Sequence, residues 1–176
     1  MIDLAQGACA ILSAAEPADK VTRALALAAD WREQQTAFGS VGHPPVRPAR
    51  PERPPLLPPR AMPKRKAGGS QEKRVALLHA LAHIELNAID LAWDIIARFG
   101  TADTPRAFFD DWVKVGEEEA IHFSLLQARL VELGAQYGDL PAHDGLWQAA
   151  EETAHDLLAR LAVVPPVLEG RGLDVT

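Results

Sequence analysis

"LLHALAHIELNAIDLAWDIIARFG", residues 77–100, decides the fold class. Leu78, Leu81, Glu85, Ala88, Ala92, Ile95 and Phe99 recur in alternating steps of three and four, the spacing that aligns side chains on one face of an α-helix. Glu85 interrupts this apolar series at its middle. The pattern predicts a helix starting near Ser70, a candidate N-cap followed by Glu72 in the first turn, and ending at Phe99 with Gly100 as C-cap.

Downstream, "TADTPRAFF" (residues 101–109) predicts a second helix, with Thr104 as cap and Pro105 at the first helical position, running to Gly134. The same spacing selects Phe108, Trp112, Val115, Glu119, His122, Leu126, Leu130 and Leu133. Within "EEEAIHF", residues 117–123, Glu119 and His122 therefore occupy consecutive inward positions. Ala102 lies seventeen residues after Glu85 and seventeen before Glu119. A short connection makes neighbouring helices antiparallel, and equal arms at about 1.5 Å rise per residue bring both glutamates to one height.

A third helical pattern begins near "HDGLW" and extends to about Leu168, with a kink or break expected at Pro165-Pro166. Residues 3–37 read as two short helices broken near "AEPAD". Nothing shows the strict alternation of a strand, so the expected fold is an all-α bundle: an N-terminal helical appendage (1–38), an extended strap (39–69) and a helical body (70–176).

A lone buried carboxylate is costly unless it is paired, protonated or bound to metal. Glu and His three apart on one helical face can ligate a single ion, and a carboxylate from the next helix can complete the site or bridge to a second ion. Carboxylate-rich ligation suits iron or manganese better than structural zinc. The rival reading is a buried Glu–His hydrogen-bonded network in a non-catalytic helical module. His79 and His83 flank the Glu85 stripe and read as structural or supporting groups. In "EETAHDLL", Glu152 reads as a solvated charge and His155 as a supporting group on a neighbouring stripe.

Composition sets the remaining limits. The chain has 176 residues, 48% of them hydrophobic, enough for one ordinary core. No apolar run approaches the roughly 20 residues of a membrane span, the acidic start lacks the basic region of a secretory signal, and the single Cys9 excludes an internal disulfide. A cytoplasmic protein is expected. The net charge is −6, but residues 39–69 carry seven bases, one acid and nine of the fourteen prolines. Proline fixes φ and lacks an N–H, so this segment favours extended chain. It reads as a basic strap against an acidic helical body, or as an arm for RNA phosphates.

Four stretches, "LLHALAHIELNAIDLAWD", "EEEAIHF", "YGDLPAHDGLW" and "LARLAVVPPVLEGRGLDVT", together resemble a bacterial ferritin-like family of unknown function related to the non-haem di-iron tRNA hydroxylases. The resemblance implies metal ligands at Glu85, Glu119, His122 and Glu169. It also implies two iron (or manganese) ions and O₂- or peroxide-dependent oxidation of a small-molecule or RNA substrate. Gly170 stands where the relatives carry alanine. The family continues into a fourth helix with a second Glu-x-x-His, whereas this sequence ends at Thr176. The expectation is a truncated form with three of four helices and an apolar groove, which a homodimer would cover.

Overall fold

The computed structural model describes residues 2–39, 42–62 and 70–164. The protein is an all-α helical bundle, as the periodicity predicts. In chain order it comprises β1 (Ile2–Asp3), α1 (Leu4–Leu12), α2 (Pro17–Arg32), β2 (Thr36–Ala37), β3 (Leu56–Leu57), a 3₁₀ turn (Pro59–Ala61), α3 (Gln71–Phe99), α4 (Arg106–Glu132), β4 (Ala142–His143) and α5 (Gly145–Glu152). The strands are two-residue parallel bridges, β1 with β2 and β3 with β4. Two compact units share α3 and α4: residues 1–51 with 88–121, and residues 52–87 with 122–176.

In the first unit, Asp3 caps α1 by accepting the N–H groups of Ala5 and Gln6 at 2.9 and 3.1 Å. Pro17 opens α2, so the break near "AEPAD" falls as expected. From Ala88 to Ala97 every residue of α3 is buried, including Asp90 and Asp94. Each acid has a cation. Asp90 pairs with buried Lys20 of α2 and with Arg50 of the proline-rich segment. Asp94 is held by Arg98, with N···O distances of 2.7–3.1 Å. Burial pulls the Lys20 pKa below the ordinary lysine value, against the opposing pull of Asp90.

These pairs also fix the strap. Arg98 donates to the carbonyl of Pro45 at 3.0 Å, and the Ala49 N–H donates to Leu12 O at 2.8 Å. Thus a partly buried base of the strap reaches the buried carboxylate of Asp90. α3 is long and apolar enough to cross a membrane, but more than half of its apolar stretch is buried inside the fold. Its ion-paired acids mark it as a core helix.

Two glycines set close approaches. A Cβ on Gly116 would lie 2.7 Å from Trp93 Nε1, so α4 meets the indole of α3 only because no side chain intervenes. Gly100 follows α3 as expected, yet it lacks the positive φ of a left-handed cap. A Cβ there would meet the rings of Phe38 and Phe109 at 2.8 and 2.9 Å, so room, not turn geometry, selects glycine.

In the second unit α4 ends in a Schellman motif: Ala135 N–H bonds to Leu130 O, Gly134 N–H bonds to Val131 O, and Gly134 has φ +74°. Here the continuous third helix of the sequence reading is corrected. α5 stops at Glu152, residues 153–156 are non-helical, and helix resumes over 157–164. The Thr153 hydroxyl bonds back to Ala149 O and Ala150 O. Buried Arg160 takes Thr153 Oγ1 and Ala150 O, and Asp156 Oδ1 caps Ala159 N–H. Local side-chain bonds thus outcompete the helical ladder. Pro165 and Pro166, where the break was expected, lie outside the described residues.

Lys20→Met should lower unfolding stability by about 3–5 kcal/mol in urea titrations, because it strips a buried carboxylate of one cation. Gly116→Ala should cost about 1–3 kcal/mol by overpacking against Trp93.

Candidate metal centre

The helical register brings together the three residues singled out by spacing. His122 Nδ1 of α4 lies 3.8 Å from Glu85 Oε2 of α3. Glu119 stands one turn before His122 on the same uninterrupted helix. Each of the three offers a ligand atom, and these atoms all lie within 4.8 Å of one another. The equal-height argument therefore holds.

Their depth is corrected. Over most of α4 the buried row is Phe109, Val113, Gly116, Ala120 and Phe123, offset by one residue from the predicted stripe, which buried Leu130 rejoins. Glu119 is half-buried, the Glu85 side chain is 22% exposed and that of His122 is 52% exposed. The group lies beside the core, not inside it. Small residues at 116 and 120 let the helices approach on that neighbouring face, a signal visible in the sequence but outweighed by the larger apolar side chains one position away.

Two ligands of one ion at bond lengths near 2.1 Å can stand at most about 4.2 Å apart. The 3.8 Å Glu85–His122 pair meets this limit. The wider spacings within the 4.8 Å group need only small rotations of half-exposed side chains. Two carboxylates and one imidazole form an oxygen-rich, hard donor set that fits a divalent first-row metal, and solvent has access to the remaining positions.

The other candidate residues fall elsewhere. Glu169 lies outside the described residues. His155 is exposed in the 153–156 break, and Glu152 is exposed at the end of α5. His83 is buried, with Nε2 donating to the carbonyl of His143 at 3.0 Å and Nδ1 against the Tyr137 hydroxyl at 2.8 Å. Glu85, two residues further along α3, is rotated by about 200° from it. The buried ion pairs at Asp90 and Asp94 escaped the sequence reading, although two acids four apart in an apolar helix were their signature.

The family model described as "Protein of unknown function (DUF455)" matches residues 13–176. The chain belongs to the DUF455 family. An uncharacterized protein of Haemophilus influenzae (strain ATCC 51907 / DSM 11121 / KW20 / Rd) is 50% identical over 131 residues. The match covers 72% of this DUF455 chain and 45% of that relative, so the chain spans less than half of the relative's length. No solved structure matches.

Because the Glu85–His122 pair is open to water, His122→Ala should change the stability of metal-free protein by less than about 1 kcal/mol in thermal or urea unfolding. A larger loss would mean that the pair belongs to the folding core.

Proposed function

We propose that this chain carries the ligands of a ferritin-like carboxylate metal centre, of the di-iron or di-manganese type, in an oxidoreductase of the hydroxylase class. The convergence of Glu85, Glu119 and His122 from two antiparallel helices carries this reading. Glu119 and His122 would hold one ion, and Glu85 would ligate it or bridge to a second. Glu169 is the candidate ligand from the C-terminal segment. A bound iron or manganese ion would supply Lewis acidity and one-electron chemistry for the oxidation of an organic substrate by O₂ or peroxide.

The residues of this chain have definite tasks in that scheme. Helix geometry sets the Glu119–His122 separation, and the α3–α4 pairing aligns Glu85 with them. The half-exposed side gives solvent and small molecules a path to the ion. Because the chain spans less than half of its H. influenzae relative, substrate and turnover are part of the proposal alone.

A second reading is a non-catalytic interaction module with a Glu–His polar network. The exposed Ile121 and Leu125 beside His122 favour it. Metal analysis separates the two. The proposal expects stoichiometric iron or manganese in purified protein, a rise in melting temperature on metal addition, and loss of both in Glu119→Ala and His122→Ala. Absence of bound transition metal, with melting unchanged by chelator and by added iron or manganese, would leave the interaction module.

A further inference from the structure

We propose that His79 is a proton-sensitive clasp that seats the loop between α4 and β4. The imidazole is only 2% exposed. Its Nε2 accepts two backbone hydrogen bonds, from Gly138 N–H at 3.0 Å and Leu140 N–H at 3.3 Å. Backbone amides only donate, so both bonds need the Nε2 lone pair. The clasp therefore requires a neutral ring with its proton on Nδ1.

The loop is built around this acceptor. Tyr137 stacks on His79 at 5.2 Å between centroids and reaches His83 with its hydroxyl. The Tyr137 N–H donates to Gln127 Oε1 at 3.1 Å, and Phe123 meets the Tyr137 ring edge-on at 5.4 Å. Gly138 adopts φ +105°, which turns its N–H toward the imidazole, and a Cβ there would stand 3.3 Å from Arg53 Cβ. One nitrogen thus organises a loop that also leans on α4.

Protonation turns Nε2 from acceptor to donor. Two buried amide N–H groups would then face a third N–H, and leaving a buried donor without an acceptor is destabilising. Among the described residues, titratable and charged groups near the clasp include Tyr137 and Asp139 from the loop, His83 one turn along α3, His143 of β4 against His83, and Arg53 beside Gly138. The Asp139 carboxylate is engaged by the Gln136 N–H at 2.8 Å. Imidazoles ordinarily titrate near pH 6.5. The clasp is closed above that range and opens as pH falls through and below it, releasing residues 134–141 from α3. This inference is independent of the metal reading.

Amide hydrogen exchange resolved by NMR tests it on the metal-free chain, with rates corrected for intrinsic pH dependence. Protection of Gly138 and Leu140 should fall at least tenfold between pH 7.5 and pH 5, relative to α1 amides. The ¹⁵N shift of His79 Nε2 should mark an unprotonated nitrogen at pH 7.5. In His79→Gln, whose Oε1 supplies an acceptor that does not titrate, protection should be independent of pH over this range. The proposal is overturned by unchanged protection at pH 5, by an equal loss in His79→Gln, or by a protonated Nε2 at pH 7.5. The wild-type exchange and shift measurements decide the matter even where His79→Gln does not fold.

Discussion

The buried carboxylate of Asp90 is the constraint on which the first unit depends. It sits in the middle of a helix closed off from water on every side, where an uncompensated charge would be intolerable. Lys20 and Arg50 answer it from segments seventy and forty residues away in sequence. One acid therefore decides where α2 packs and where the proline-rich segment is tied down. Asp94 and Arg98 repeat the device one turn later, with Arg98 also gripping the strap at Pro45. The first unit owes its compactness to apolar packing, while its chain path is written by these ion pairs.

The Glu85–Glu119–His122 group follows different physics. Its members are partly wet, so its separations carry little folding energy and are free to adjust to a ligand. In the second unit, the Gln71 bond to Leu133 O marks the same antiparallel course as the Glu85–His122 pair. In the first, the Trp93–Gly116 contact marks it again. The scaffold is rigid where it sets register and yielding where the donors stand.

Much of this was legible in the sequence. The periodicity of residues 77–100 and 106–132 gave both long helices, and counting outward from Ala102 placed Glu85 level with Glu119. Depth was harder to read. Two adjacent stripes on α4 both look apolar, and the choice fell to Gly116 and Ala120, whose smallness matters only once the Trp93 indole is in place. The interruption after α5 was also hidden, because Thr153, Asp156 and Arg160 act as a set and none of them breaks a helix alone. The pairing of Asp90 with Lys20 and Arg50 is non-local, and periodicity carries no information about such partners.

The Asp90 triad also bears on how this family can change over generations. A neutral residue at position 90 strands two neighbouring cations, and one at 20 or 50 takes away one of the two cations that hold the buried Asp90, so single steps away from the set are penalised whichever comes first. A change of two or three together, for example to well-packed apolar side chains, meets no such barrier. The three positions should therefore drift as a bloc, and sequence variation at 90 should be readable from what stands at 20 and 50.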